Sequence, residues 1–207
     1  MRDRDLVRLY WPAELRPAFD ALFAIDDAMG DVVASATEPA LAAIKLAWWR
    51  ERLEELDEGK VPAEPRLQAA ARELLPRGIT GASLAGLEDG WATLLEEQPD
   101  VERIGNRGLL LVDLASSLLG VTDRRLEAAG RLYAQESVGR RCRLSLHWPM
   151  DALNALAGHR FPRALRPLTA LAVLAARDFR RDGGVEPEAT PGRAMALLRH
   201  RLTGRVA

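Results

Sequence analysis

The sequence predicts an all-α protein: a single-domain helical bundle of about eight to ten helices packed around a central cavity. Three observations carry that expectation. Apolar residues recur at helical spacing, as in Leu22, Ile25, Met29, Val32 and Val33, which lays one apolar stripe along an amphipathic helix. No apolar–polar alternation runs long enough to insist on a sheet. The 207 residues, 48% of them hydrophobic, supply one substantial core and too little chain for two.

Taken in order, Asp3 or Asp5 caps a short helix ending near Trp11, and Pro12 and Pro17 mark the start of the next, since proline is tolerated in a first helical turn. That second helix reads DALFAIDDAMGDVVAS. At ~100° per residue, Asp20, Asp27 and Asp31 fall opposite its apolar stripe, and only Asp26 faces inward. Glu38-Pro39 opens a third helix and Gly59 is placed to end it. Leu41, Ile44, Trp48, Trp49, Leu53 and Leu56 form a wide apolar arc there, with Lys45 and Arg52 inside it. Cations in an apolar arc either snorkel to water or face a polar cavity, here one that also holds Asp26.

A short helix, PRLQAAARELL, stops at Pro76 and Gly78, and Thr80 or Ser83 opens a run through Trp91 to Glu97. LLLVDLASSLLG within residues 101 to 119 is apolar enough for a buried helix. Asp123 starts DRRLEAAGRLYAQESVGRRC. LHWPMDALNALAG reads as a loop into a short helix capped by Asp151. FPRALRPLTALAVLAARDFRR is a last long amphipathic helix before the linker RDGGVEPEATPG.

Cys142 is the only cysteine, so no intrachain disulfide forms and a reducing compartment is expected. The N-terminal MRDRDLVRLYW has no signal-peptide core, and no stretch approaches ~18 uninterrupted apolar residues. The expectation is a cytoplasmic protein, with peripheral membrane contact left open. Residues 1 to 123 carry 13 basic and 23 acidic side chains, and the remainder 16 and 7. Such a split steers an anionic partner, a diphosphate or a lipid surface among them, to the second half, or draws the two halves together. Nucleic acid is not expected as a partner, because the basic residues are scattered singly without interleaved aromatics.

Asp27 and Asp31, four apart on one helix, have the spacing of a hard-cation pair, though on the face predicted to be solvated, where such pairs are ordinarily just charged surface. His147, His159 and His200 show no metal-ligand spacing. Cys142 sits among Arg140, Arg141 and Arg143, which can lower a thiol pKa, but no histidine motif accompanies it.

The words AFDALFAIDDAMGDVV and EPALAAIKLAWWRERLEELDEG, with the tail GRAMALLRHRLTGR, resemble the squalene/phytoene synthase family, which has the isoprenoid synthase fold. The resemblance implies one such domain over residues 1 to 207, shorter than typical catalytic members. It also implies a cavity where aspartates on two helices hold Mg²⁺ against a prenyl diphosphate. Aligned on Gly130 and Arg140, the chain has Ser137, Arg141 and Ser145 at the Asn and two Asp of the second metal motif. Phe23 stands at a diphosphate-binding Arg, and Gly30 at the second Asp of the first motif. Only Asp26, Asp27 and Asp31 remain as metal candidates, so no cofactor is expected, and Mg²⁺ only if the chain is active. Phe23, Asp26, Gly30, Lys45, Arg52, Tyr133, Ser137 and Arg141 are the expected cavity lining, with Asp26 paired to Arg141 or else to Lys45 or Arg52.

By this resemblance the chain is a non-catalytic relative, binding an isoprenoid or lipid or serving with a protein partner as an assembly scaffold. A degenerate branch of the family that assembles respiratory complex I in mitochondria is similar. The alternative is a transferase of terpenoid biosynthesis, a head-to-head prenyltransferase.

Overall fold

The computed structural model describes residues 2–142, 144, 150–181 and 185–206. Its helices are α1 (Asp3–Arg8), α2 (Arg16–Ala34), α3 (Pro39–Leu56), α4 (Pro65–Glu73), α5 (Gly81–Ala85), α6 (Leu87–Ala92), α7 (Val101–Leu119), α8 (Leu126–Cys142), α9 (Met150–Leu156), α10 (Arg166–Phe179) and α11 (Pro191–Thr203). Among the described residues there is no strand, only an isolated antiparallel bridge between Arg160 and Arg205. None of these helices is long and apolar enough to cross a membrane.

Helix starts fall where side chains satisfy the free amides of a first turn. Glu64 accepts from Leu67 N, Thr80 from Ser83 N, Asp100 from Glu102 N and Thr190 from Arg193 N, each cap contributing roughly 1 kcal/mol. Pro17, Pro39, Pro65, Pro167 and Pro191 occupy first turns, where no intrahelical donor is lost. Gly120 and Gly204 end α7 and α11 with φ near +64° and +75°, a conformation that costs a β-carbon dearly.

Three expectations are corrected. The run from Thr80 to Glu97 is not one helix but α5, α6 and a 3-10 turn at Thr93–Leu95. In α6, Gly90 lies so close to α7 that a β-carbon would sit 2.4 Å from Arg107 Cβ. The tail GRAMALLRHRLTGR, beyond the helix expected to be last, forms most of α11. On α3 the predicted arc is too wide: Ala42, Leu46, Trp49, Leu53 and Leu56 are buried, but Leu41, Ile44 and Trp48 face solvent.

The core is one cluster. A chain of rings, Trp11 to Phe19 (4.6 Å), Phe19 to Phe23 (4.5 Å) and Phe23 to Tyr133 (6.1 Å, edge-on), runs from the start of the chain through α2 to α8, and aromatic pairs at such separations add to their burial. Helices α7 and α8 meet backbone to backbone. A β-carbon on Gly108 would lie 2.1 Å from the Gly130 carbonyl oxygen, and one on Gly130 2.4 Å from that of Gly108. Between α2, α7, α8 and α10 this packing leaves little space. Where Phe23, Leu111, Val112, Tyr133, Leu168 and Leu171 converge, the free space is about 10 Å³, the room of a single water.

Candidate functional site

The aspartate helix α2 runs beside α6, α7 and α8, and each inward or flanking carboxylate meets an arginine. Asp26 is 2% exposed. Its Oδ1 accepts from Arg107 Nη1 at 2.6 Å and from Trp91 Nε1 at 2.9 Å. The Arg107 guanidinium lies 3.9 Å from the centroid of the Trp91 ring. Its second nitrogen donates to Ser137 Oγ at 2.6 Å and to the Ala134 carbonyl at 3.1 Å. One buried arginine thus ties α7 to α2 and α8, stacked on α6.

Asp27 is held by Arg4 through both carboxylate oxygens and by Arg141 Nη2. Arg141 Nη1 reaches Asp31 at 2.6 Å and the Asp27 carbonyl at 3.2 Å. Burial pushes the Asp27 carboxyl up, but the two guanidiniums outweigh it and leave it below the usual carboxylate range. Asp27 is therefore not on the solvated face where helical projection put it, because α1 and α8 close over that side; Asp31 is exposed as expected. Gly30 is held to its size from two directions. A β-carbon there would lie 2.8 Å from Trp91 Cζ2 and 2.9 Å from Arg141 Cδ, so a carboxylate at this position has no room.

Beyond Arg141 opens a charged cleft of about 330 Å³, bordered by Arg2, Arg4, Asp31, Tyr133, Ser137 and Arg141 among others. Its other wall is a second ion-pair network. Arg193, 1% exposed, donates to Asp3 at 2.7 Å and to Asp178 at 2.6 Å. Arg140 joins Asp178 and Glu136, both at 2.7 Å. Burial pushes Glu136 up to about 7 against the pull of Arg140, and Tyr133 up to about 12 despite Arg4 nearby.

The cavity-lining set divides accordingly. Tyr133, Ser137 and Arg141 border the cleft, Asp26 and Gly30 lie beneath it against Trp91, and Phe23 belongs to the core. Lys45 and Arg52 do not belong to it. Lys45 is exposed on α3, and Arg52 pairs with Glu55 at 2.9 Å. The expected pairing of Asp26 with Arg141, Lys45 or Arg52 is replaced by Arg107. Arg141 has the carboxylates one and five residues further along α2. Arg107 carried the same signal as Lys45 and Arg52, a cation on the apolar face of a helix otherwise buried at Ile104, Gly108 and Leu111. Arg4, Trp91 and Arg193 left no comparable trace.

Asp26, Asp27 and Asp31 do not fit a Mg²⁺ site. Three carboxylate charges face three guanidiniums, and a divalent ion ~4 Å from Arg141 would be repelled by roughly 8 kcal/mol at an effective dielectric of ~20. No group of three or more His, Cys, Asp or Glu side chains is arranged for a metal among the described residues. Cys142 is not activated, since burial raises its thiol pKa over the opposing effect of Arg141 and Arg107. His159 meets Asp123 at 3.0 Å, and buried His200 meets Thr169 at 2.9 Å. Arg143, Ser145 and His147 lie outside the described residues. No family model matches the chain, and none of the characterised proteins or solved structures compared with it does.

Proposed function

We propose that this chain is a non-catalytic, squalene/phytoene synthase-like helical protein that works as an assembly or interaction scaffold. The observation that carries the reading is the neutralisation of Asp26, Asp27 and Asp31 by Arg107, Arg4 and Arg141. Ionising an allylic diphosphate requires clustered divalent cations to stabilise the leaving group, and each such electrostatic contribution amounts to several kcal/mol. Carboxylates already serving as counter-ions cannot gather them. Of the two non-catalytic roles, scaffold is favoured over internal isoprenoid binding. The apolar pocket between α2, α7, α8 and α10 offers about 10 Å³, against the roughly 300 Å³ or more of ligand pockets, and the roomier cleft of about 330 Å³ is lined largely by charged side chains rather than apolar ones.

The test is incubation of the full chain with radiolabelled farnesyl diphosphate and Mg²⁺, followed by extraction of apolar product and, separately, equilibrium dialysis of labelled farnesol. No product and no retained farnesol are expected. Turnover above background would establish the prenyltransferase alternative, and stoichiometric farnesol binding would establish a lipid carrier.

A further inference from the structure

The outer face of α11 is apolar along its crest and basic on both flanks. Met195, Leu198 and Leu202 are 63%, 44% and 72% exposed and, at spacings of three and four, share one side of the helix. Leu197, Arg193 and His200 hold the other side against the core. Arg199 falls on one flank, in a hollow of about 580 Å³ with Arg177, Arg180, Arg181 and Arg205. Arg201 falls on the other, in a hollow of about 380 Å³ with Arg163 and Arg166.

Half of these eight arginines are uncommitted. Arg177 and Arg181 share Glu186, Arg166 holds the carbonyls at the end of α11, and Arg201 lies over Tyr10. Arg163, Arg180, Arg199 and Arg205 are exposed and meet no carboxylate among the described residues. From Ala189 to Val206 the chain has no acidic residue.

We propose that this face docks on an anionic lipid bilayer, with α11 in the plane of the surface, its Met-Leu-Leu crest among the acyl boundary and its arginines on the headgroup phosphates. A helix of 13 residues is ~20 Å long, too short to span and suited to lying flat. Charge decides against a second copy of the chain, since a two-fold contact through α11 would oppose arginine to arginine. A polynucleotide would satisfy the arginines but leave the apolar crest wet. The other exposed apolar stripe, Leu41, Ile44 and Trp48 on α3, has only Lys45 and Arg52 as cations on its flank, with Arg52 committed to Glu55 and with Glu38 and Glu51 close by, so it lacks the cluster of uncommitted arginines that surrounds the α11 crest. The docking is independent of what the cleft between α1 and α8 holds.

Co-sedimentation of the full chain with vesicles tests the assignment, comparing phosphatidylcholine alone with phosphatidylcholine containing about a quarter phosphatidylglycerol. At least tenfold stronger partitioning to the anionic vesicles is expected, weakening as salt screens the surface. The double variants Leu198→Asp/Leu202→Asp and Arg180→Glu/Arg199→Glu should each lose tenfold or more, and Ile44→Asp none. All these positions are exposed, so unchanged circular dichroism accompanies each loss. A single Arg199→Glu gives an independent reading should a double variant fail to fold. The proposal is overturned by equal or absent binding to the two vesicle types, by retained binding in the leucine variant, or by loss in Ile44→Asp. Polynucleotide binding that depends on the arginines and not on the leucines would overturn it in favour of a nucleic-acid surface.

Discussion

Replacing Asp26 with Ala should be the most damaging single change among the aspartates of α2. The carboxylate and Arg107 are both essentially inaccessible, so the variant leaves a guanidinium held, among the described residues, by the Ser137 hydroxyl, the Ala134 carbonyl and the Trp91 face with no carboxylate, and it strands the Trp91 N–H. Removing one partner of a buried pair costs ~3–5 kcal/mol, which for a domain of this size lowers Tm by about 6–20 °C. Urea melts of Asp26→Ala, Arg107→Met and the double variant supply the cycle. The double variant should be less destabilised than the sum of the singles, by ~2 kcal/mol or more, because it removes both charges together. A loss of ~1 kcal/mol or less in Asp26→Ala, with additive effects in the double variant, would mean that Asp26 is hydrated and that Arg107 does not neutralise it.

The other α2 carboxylates should grade with their exposure. Asp27→Ala, which releases Arg4 and Arg141 at a partly buried site, should cost ~1–3 kcal/mol, and Asp31→Ala at the surface no more than ~0.5 kcal/mol by the same melts. Gly30→Asp, which restores an acidic residue of the resembled motif, should destabilise by ~3 kcal/mol or more rather than create a Mg²⁺ site, since Trp91 and Arg141 fill its volume; calorimetry with and without Mg²⁺ checks both halves. Glu136 ties stability to pH. Its folded pKa of about 7 stands above the ordinary 4.5, so the folded state binds more protons in that window. Stability should fall by up to ~3 kcal/mol as pH rises from about 4.5 to about 7 and level off above. Glu136→Gln should remove that slope, which melts at about pH 5 and about pH 7.5 would reveal as a pH-dependent difference from the native chain.

Helix type, most helix starts and the burial of Asp26 were legible because each rests on local chemistry: apolar period, capping oxygens, and one carboxylate on the wrong side of a stripe. Partners were not. Arg107 reaches Asp26 across 81 positions of sequence, and nothing in either segment encodes the other's direction. The projection that put Asp27 in water is correct for α2 alone and fails once α1 and α8 cover it. The wide arc on α3 misled in the opposite sense, since periodicity cannot tell an apolar stripe that meets a neighbour from one that does not. The inserted width of Trp91, which excludes any side chain at position 30, is likewise a tertiary fact.

The tie between Asp3 and Arg193 spans 190 positions. At the roughly 5–20 residues per second of chain synthesis, about 10–40 s separate the appearance of its two ends. Through that interval Asp3 on α1 has no Arg193 to meet, whereas Asp178, 15 positions before Arg193, waits only ~3 s or less for its second arginine. The ties of Arg193 to α1 and α10 therefore form only after α11 emerges, which makes that helix a structural brace rather than a decoration. Contacts of such long range slow folding.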